Sequence, residues 1–318
     1  MPAKVLLTDY AWDDLSIETA ILEEIGASIV LPRDTSEAAL TEAATDCDAI
    51  MNNWARVTAA VIDAAPRCRI IARLGIGLDS IDVARATQRG IPVTNVPDYC
   101  LIEVAEHALA LILACGRKVG WYHHETKQGR YELKSGPTLC RMEGQTLGIV
   151  GLGAIGRKLA EKATALGLRV LAFNRTHRTP PPGVSYAELD QLLAESDYVS
   201  LHVPLTSQTR HMVGAPQLAR LKPTAYLINT SRGGLIDHAA LAVALADGQL
   251  AGAALDVQEP EPPDLSQPPY NDSRVIVTPH AAFVSRESLL DLRQRSSRQI
   301  ADRLCGRVPP HVVNPEVL

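Results

Sequence analysis

The amino-acid sequence predicts two doubly wound α/β domains, each built around a parallel sheet. Short apolar runs without polar alternation recur from one end of the chain to the other, and segments with a helical apolar pattern separate them. Strands that are covered on both faces give such runs, and the helices between them serve as crossovers. A length of 318 residues is enough for about two domains of ordinary size.

The first series of apolar runs predicts five strands. From Lys4 onward the runs are KVLLTD, ASIVLP, DAIMNN, RIIARLG and IPVTNV. Helical patterns separate them at about residues 16–26, 36–45, 58–65 and 81–89. A longer pattern, from about residue 101 to 118, is apolar on most sides and predicts a helix that connects the two domains.

The second series predicts six strands, from the runs TLGIV, RVLAF, DYVSLHV, AYLINT, AGAALDV and RVIVTPH. Helices fit between them at about residues 155–166, 186–194, 214–221 and 238–247. The stretch EPEPPDLSQPP (259–269) is too rich in proline for regular structure, and it predicts a surface loop. A last helix is predicted at about residues 285–304.

Composition excludes several function classes. The net charge of −5 gives no bulk attraction to nucleic acid or to an acidic membrane, and aromatic residues are sparse at 4%. The six cysteines are scattered without ligand spacing, which argues against a disulfide framework or a metal site and fits reduced thiols. The best apolar segment, ALALILAC, is far too short for a membrane span. We therefore expect a soluble, cytoplasmic protein.

The strongest local motif is GLGAIG, which predicts a dinucleotide site. Gly151, Gly153 and Gly156 follow the strand TLGIV, and Ala154 and Ile155 open the next helix. The first glycine allows the tight turn, the second lets a pyrophosphate approach the backbone, and the third allows the helix to pack on the strand. The helix N-terminus then faces the anion.

The residues after the second strand of this motif bear on the choice of cofactor. NAD-binding proteins place an acidic residue there to hold the ribose hydroxyls. This chain has Asn174, Arg175 and Thr176, followed by His177 and Arg178. Two guanidinium groups and a hydroxyl could receive the 2′-phosphate of NADP, so we expect NADPH to be preferred over NADH. An ordinary exposed basic loop is the alternative.

Three further segments carry candidate catalytic residues. Arg232, Glu261 and His280 each follow a predicted strand of the second domain, where open α/β sheets hold their ligands. A guanidinium polarises a ketone and pairs with a carboxylate, an imidazolium donates a proton, and a carboxylate keeps the imidazole charged. Each residue alone is more often structural or solvated. Together they predict reduction of a 2-oxo acid by hydride transfer.

Several motifs in one order carry a family resemblance over almost the whole chain. These are GIGLDSID (75–82), NVP with VAE (95–97 and 104–106), GLGAIG, HVPLTSQT, NTSRGGLID, DVQEPEP and TPHAAF. In this order they resemble the D-2-hydroxyacid dehydrogenase family. The resemblance implies a flavodoxin-like substrate domain, residues 1–100 with 286–318, and a Rossmann nucleotide domain, residues 101–285. It also implies a cleft between the domains and a hinge near Cys100 and Ser285.

The resemblance assigns roles to individual residues. Arg232, Glu261 and His280 would be the catalytic trio, with Glu261 favoured over Glu259 by its placement before the proline. Ile76 and Gly77 would offer backbone amides to the substrate carboxylate. The cofactor would contact His202, Val203, Pro204, Thr209 and Thr230, and Asp256 would meet its nicotinamide amide. By family position the substrate pocket would hold Asn53, Trp54, Tyr99 and Phe283, although ordinary packing explains these four equally well.

Within the family, the stretches NVPDYCLIEVAEH and PHAAFVSR look most like the C-terminal-binding-protein branch, which includes nucleotide-sensing corepressors. The chain departs from that branch at Phe283 and at the Asn174 segment. A nucleotide-responsive binding protein with little turnover is thus one alternative function, and a dehydrogenase of non-acid alcohols is another. The family commonly dimerises through the nucleotide domain. The segment 120–139, which fits neither sheet, is our candidate dimer arm.

Overall fold

The computed structural model describes residues 2–134, 136–176 and 178–318. Within it the chain forms two compact units. Unit 1 comprises the residues up to Tyr99 together with Ser285–Leu318, and unit 2 is Cys100–Val284. Each unit contains one parallel sheet with helices on both faces, as the sequence predicted.

Unit 1 contains the five predicted strands, all parallel, in the order β2-β1-β3-β4-β5. This is the flavodoxin-like order, which confirms the predicted fold class of the unit. The strands are β1 (Ala3–Leu7), β2 (Ala27–Val30), β3 (Ala49–Asn52), β4 (Ile71–Arg73) and β5 (Val93–Thr94). The helices are α1 (Ser16–Glu23), α2 (Glu37–Ala44), α3 (Ala59–Asp63), α4 (Val83–Gln88) and α11 (Arg286–Leu304).

The C-terminal helix α11 is held in unit 1 by an ion pair. Its Arg293 donates to both carboxylate oxygens of Glu18 on α1 at 2.7 Å, and the Glu18 side chain is fully buried. Each of the two charges has a hydrogen-bonded partner of opposite sign. The pair therefore avoids the free-energy cost of an isolated buried ion. Ser285 caps the start of α11 by accepting from the Ser288 N–H at 2.9 Å.

Unit 2 contains seven parallel strands in the order β12-β11-β10-β9-β6-β7-β8. The order reverses between β6 and β9, which is the switch point of a Rossmann sheet and confirms the predicted class. The strands are β6 (Thr146–Val150), β7 (Arg169–Phe173), β8 (Val184–Tyr186), β9 (Tyr198–Leu201), β10 (Tyr226–Asn229), β11 (Gly252–Leu255) and β12 (Val275–Val277). The helices are α5 (Leu101–Arg117), α6 (Val119–Lys127), α7 (Ala154–Ala165), α8 (Leu189–Glu195), α9 (Ala215–Leu218) and α10 (His238–Ala246).

The prediction of six strands in this sheet was wrong by one. The edge strand β8 lies where the sequence predicted the start of a helix at about residue 186, and α8 begins only at Leu189. A strand of three residues, V-S-Y, is too short to show a periodic pattern. It pairs with β7 and brings the Tyr186 hydroxyl to the Arg178 carbonyl, 2.9 Å away.

The segment after α5 differs from the rest of unit 2. Lys118, with φ of 57°, ends α5 in the left-handed conformation, and α6 follows at once. The predicted arm 120–139 is therefore helical as far as Lys127, and its Ser135 lies outside the described residues. Within the described ranges, no helix is both long enough and apolar enough to cross a bilayer.

Candidate active site

The glycine turn lies at the switch point of the unit 2 sheet, between the ends of β6 and β9. Gly151 has φ of 104°, and a β-carbon there would lie 2.4 Å from the His202 carbonyl oxygen, so only glycine fits. A β-carbon on Gly153 would meet no atom within 4 Å. This open backbone precedes the twelve-residue helix α7, and a glycine offers no side chain to cap its first N–H groups. The turn therefore has the room and the donors that a pyrophosphate needs.

Asn174 connects the end of β7 to the glycine turn. Its Oδ1 accepts from the Leu152 N–H at 3.2 Å, and its Nδ2 donates to the Thr176 carbonyl at 2.5 Å. Arg175 and Thr176 are exposed, and Arg175 donates to Gln208 at 3.3 Å. The loop after β7 thus presents a guanidinium and a hydroxyl at the position where many NAD-binding proteins have a carboxylate. His177 lies outside the described residues.

The segment after β9 forms a second wall of this region. The His202 Nε2 lies 2.8 Å from the Ser200 hydroxyl, and burial lowers the His202 pKa to about 4, so the ring is neutral. Thr209 donates to the Pro204 carbonyl at 2.7 Å and accepts from the Thr206 N–H at 2.8 Å. The Thr209 hydroxyl therefore shapes the loop, and its predicted contact with the cofactor stays a prediction.

Two buried polar atoms near the strand ends have no hydrogen-bond partner among the described residues. These are the His202 Nδ1 and the Thr230 hydroxyl, which directly follow β9 and β10. A buried polar group without a partner costs about 1–3 kcal/mol, which a bound ligand can relieve. Together with the open glycine turn, these atoms fit a dinucleotide held along the strand ends.

Close backbone packing brings the strand-end loops of β10 and β11 together. Asn229 is buried at the end of β10, where its amide donates to the Arg232 carbonyl at 2.8 Å. A β-carbon on Gly233 would lie 2.1 Å from the Gln258 backbone, so glycine is required where the two loops touch. The contact fixes Arg232 beside the loop that carries Glu261.

Glu261 and His280 form an ion pair between the loops after β11 and β12. The Glu261 Oε2 lies 2.8 Å from the His280 Nδ1, and the Glu261 Oε1 accepts from the Gln258 N–H at 2.9 Å. Burial raises the pKa of Glu261, but the hydrogen bond and charge of His280, the Gln258 N–H and the Arg232 charge together hold that pKa below its usual value. The carboxylate is therefore ionised near neutral pH and accepts at the Nδ1 side of the His280 ring.

The competing carboxylate, Glu259, has different partners. Both of its oxygens accept from Arg210, at 2.7 to 2.9 Å, and its nearest imidazole is that of His211 at 3.9 Å. Of the two carboxylates, Glu261 is therefore the one that is paired with His280, and Glu259 is paired with Arg210. The sequence did not single out Arg210, because a lone arginine in a loop gives no signal of its partner.

Asp256 holds the backbone turn that carries His280. His280 has φ of 52°, a conformation that is uncommon for any residue other than glycine. The Asp256 carboxylate accepts from Thr278 at 2.6 Å and from the N–H groups of Ala281 and Ala282 at 2.9 Å each. Burial raises the Asp256 pKa, but these donors and His107 outweigh it and lower the pKa to about 2. Its predicted contact with the nicotinamide amide stays a prediction, since the side chain is fully buried.

His107 was not among the predicted site residues. From α5 its Nε2 lies 3.1 Å from the Thr278 hydroxyl and 3.4 Å from an Asp256 oxygen. It therefore adds a contact from α5 to the turn that Asp256 holds. On the same turn, the Phe283 ring meets the His280 ring edge to face, with centroids 6.1 Å apart.

The other predicted substrate residues lie in unit 1. Asn53 directly follows β3 and is buried, and among the described residues its Nδ2 has no partner. Trp54 is exposed, and its backbone N–H donates to the Asp9 carboxylate at 2.9 Å. Tyr99 packs against an apolar cluster of this unit. Ile76 and Gly77 lie in the loop after β4, which ends at the same sheet edge as β3.

Metal ligation has no support in the described part of the chain. No group of three or more His, Cys, Asp or Glu side chains lies together there in a way that could hold an ion.

A glycine turn at the switch point of a seven-stranded Rossmann sheet, with an arginine and a histidine–carboxylate pair at neighbouring strand ends, defines a dinucleotide-dependent oxidoreductase. Residues 109–282 match the family model described as D-isomer specific 2-hydroxyacid dehydrogenase, NAD binding domain. The chain belongs to the D-isomer specific 2-hydroxyacid dehydrogenase family, and it binds a nicotinamide cofactor.

Alignments with similar proteins extend over most of this chain. A glyoxylate reductase of Korarchaeum cryptofilum is 42% identical over 296 residues, 89% of this chain and 87% of that protein. An NADPH-dependent glyoxylate/hydroxypyruvate reductase of Sinorhizobium meliloti, solved with NADP and malonate, superposes with a TM-score of 0.88 at 30% identity, over 98% of this chain and 97% of that one. A D-lactate dehydrogenase of Aquifex aeolicus, solved with NAD and lactic acid, has a TM-score of 0.88 at 28% identity, over 98% and 99%. The resemblance to the C-terminal-binding-protein branch stays a prediction.

Proposed function

We propose that this protein reduces a small 2-oxo acid to the D-2-hydroxy acid with NADPH. The ion pair between Glu261 and His280 carries this proposal, because it holds an imidazole in a form that can donate a proton from Nε2. Arg232 contributes a positive charge at the same carboxylate. A protein that only sensed nucleotides would have no use for this donor, so the pair does not favour the corepressor-like alternative.

Each residue of the trio has a separate role. A bound nicotinamide supplies the hydride that the 2-carbon of the acid accepts. Arg232 polarises the ketone and pairs with the substrate carboxylate, which a planar guanidinium can do with two hydrogen bonds. His280 gives its Nε2 proton to the former ketone oxygen. Glu261 keeps the ring oriented and stabilises its charged form.

We assign the substrate domain to unit 1 and the nucleotide domain to unit 2. The N–H groups of Ile76 and Gly77 would bind the substrate carboxylate, and the unpartnered Asn53 amide supports a polar ligand at this sheet edge. Trp54, Tyr99 and Phe283 would limit the size of the substrate side chain. The glyoxylate reductase of Korarchaeum cryptofilum supports a substrate with a small side chain.

The choice of NADPH rests on the end of β7. Asn174 leaves no carboxylate to repel a 2′-phosphate, and the exposed Arg175 and Thr176 can donate to one. Solved relatives contain either cofactor: the Sinorhizobium meliloti enzyme holds NADP and the Aquifex aeolicus enzyme holds NAD. Two further proposals accompany this function, a homodimer formed through the arm 120–139 and a location in the cytoplasm.

An absorbance assay at the nicotinamide band tests the function. Glyoxylate, hydroxypyruvate, pyruvate and bulkier 2-oxo acids are each tried with NADPH and NADH, and we expect turnover of at least one small acid. His280→Ala should lower kcat by about 10²–10⁴-fold, the usual contribution of a general acid, and should leave NADPH affinity near that of wild type.

His311→Ala, which removes an exposed histidine of unit 1, is the matched control and should keep full activity. A His280→Ala protein with more than half of the wild-type kcat would remove His280 from the mechanism. A wild type that reduces none of these acids would exclude the proposed function.

A further inference from the structure

Arg73 is tied to the loop that follows its own strand. Its guanidinium donates to the carbonyl oxygen of Leu74 and, at 3.0 Å, to that of Gly77. The side chain is only 7% exposed. A β-carbon on Gly75 would lie 2.9 Å from the Arg73 Cζ, so the guanidinium packs directly against the loop backbone.

The carbonyl groups of Gly75 and Ile76, which lie between those of Leu74 and Gly77, accept hydrogen bonds as well. The Asn95 amide donates to the Ile76 carbonyl at 2.9 Å, and the Val96 N–H donates to the Gly75 carbonyl at 3.0 Å. Asn95 is itself fixed, because Gln299 of α11 donates to its backbone carbonyl at 2.9 Å. Four consecutive carbonyl oxygens of the loop are therefore anchored.

Anchored carbonyl groups determine where the N–H groups point. In a planar trans peptide, the N–H of one residue is antiparallel to the carbonyl of the residue before it. The Val96 and Asn95 donors on the Gly75 and Ile76 carbonyls thus direct the N–H groups of Ile76 and Gly77 away from Val96 and Asn95. Arg73 fixes the two flanking carbonyls, those of Leu74 and Gly77, and so holds both ends of this stretch. Within the described part of the chain, neither of these N–H groups makes a hydrogen bond. Successive free N–H groups of this kind bind anions.

We propose that Arg73 and Asn95 are positioning residues that hold the loop amides of Ile76 and Gly77 ready for the substrate carboxylate. The inference rests on the proposed function, and it assigns residues that act through the backbone without touching the substrate. Arg73 has a second effect, because its buried positive charge adds to the attraction that the loop exerts on an anion. Asn95 contributes a neutral donor only.

Three variants test this proposal. Arg73→Met removes both donors and the charge, Arg73→Lys keeps the charge without the planar fork, and Asn95→Leu removes one neutral donor. With saturating NADPH, we expect Arg73→Met to raise the KM for glyoxylate and the Kd of oxalate, measured by titration calorimetry, by about tenfold or more. Asn95→Leu should raise both by about fivefold, and Arg73→Lys should be intermediate between Arg73→Met and wild type.

Further measurements separate positioning from general damage. The KM for the neutral methyl glyoxylate should change less than that for glyoxylate, kcat should stay within about threefold, and NADPH affinity should not change. Arg67→Gln is the control, since Arg67 is an exposed arginine of the same unit that pairs with Asp46 and Asp48. Thermal unfolding shows whether each variant is folded. If Arg73→Met does not fold, Arg73→Lys and Asn95→Leu test the proposal.

The outcomes distinguish the two proposals. An active wild type whose folded variants keep the KM for glyoxylate and the affinity for oxalate within twofold would overturn this inference alone. Equal effects on glyoxylate and its ester would overturn it too, because the loop would then not act on the carboxylate. A wild type that neither reduces glyoxylate nor binds oxalate would overturn the proposed function, and this inference with it.

Discussion

At the scale of single residues, the partners of two nearby glutamates separate their roles. Glu259 and Glu261 are two positions apart in the same loop, yet one is bonded to Arg210 and the other to His280. Arg210 and Glu259 are both exposed, and such pairs contribute little to stability. The Glu261 pair is less exposed at its imidazole, and its carboxylate lies 2.8 Å from the His280 Nδ1.

Glu261→Gln should move the alkaline limit of ketone reduction to lower pH by about 1 unit. The lowered pKa of Glu261 keeps the carboxylate ionised across the working range, and this charge stabilises the protonated imidazole. A glutamine carries no charge, so this stabilisation is lost in the variant. The measurement is kcat against pH, with Glu259→Gln as the matched control. A shift in the Glu259 variant and none in the Glu261 variant would reverse the assignment.

NADPH should be preferred over NADH in kcat/KM by about tenfold or more, because a charge-assisted hydrogen bond to the 2′-phosphate contributes about 1.5–3 kcal/mol and one such bond suffices even after screening reduces it. The double variant Asn174→Asp/Arg175→Ala should move the preference toward NADH. An aspartate can still accept from the Leu152 N–H as Asn174 does, but it loses the hydrogen bond to the Thr176 carbonyl, and the charge of the segment reverses. A wild-type ratio of one or less would contradict the prediction, as would a variant with an unchanged ratio.

At the scale of elements, the site is a set of loops fixed at the ends of parallel strands. Asp256 shows how such a loop is held, since one carboxylate receives a hydroxyl and two backbone amides of the turn after β12. His107 reaches the same group from α5. The strained turn at His280 persists because its surroundings determine it, which is typical of functional sites.

Asp256→Asn should lower the free energy of unfolding by about 2–3 kcal/mol near neutral pH, since the Asp256 pKa is about 2 against an ordinary 3.8 and each pKa unit corresponds to about 1.4 kcal/mol. The higher unfolding free energy of the wild type requires the Asp256 carboxylate to be ionised. It should therefore be complete above about pH 4 and decline as the pH falls from about 4 toward 2. Urea unfolding at pH 7, 4 and 3 measures this, with the exposed Asp264→Asn as control. An advantage that does not change with pH would exclude the charge as its source.

The sequence predicted which residues follow the ends of the strands better than it predicted the side-chain contacts that hold the loops. Arg232, Glu261 and His280 were predictable as neighbours, because the carboxyl ends of adjacent parallel strands meet at one edge. The contacts of Arg210 and His107 were not, since each joins segments that are distant in the chain. The contacts of Arg73 are local, but the sequence gives no signal of which loop carbonyls its side chain reaches. The strand β8 was missed because three residues at a sheet edge carry no period.

At the scale of the whole molecule, the arm 120–139 is unlike the rest of unit 2. In α6, none of the residues is fully buried. Farther along the arm, Tyr131 is 89% exposed and Leu133 is 82% exposed. We expect another protein to cover large apolar side chains that are this exposed. A second copy of the chain is the partner that the family resemblance implies.

The protein should be a dimer in solution, with about twice the 34.3 kDa mass of one chain. A standard interface uses about 20–30 residues a side, so an arm of this length supplies most of one. Tyr131→Glu/Leu133→Glu should give a monomer, because burying two carboxylates without partners costs more than the contact gains. Light scattering after size exclusion measures the mass, and Val308→Glu, at an exposed valine of unit 1, is the control. A monomeric wild type would contradict the prediction, and a double variant that still dimerises would place the interface elsewhere.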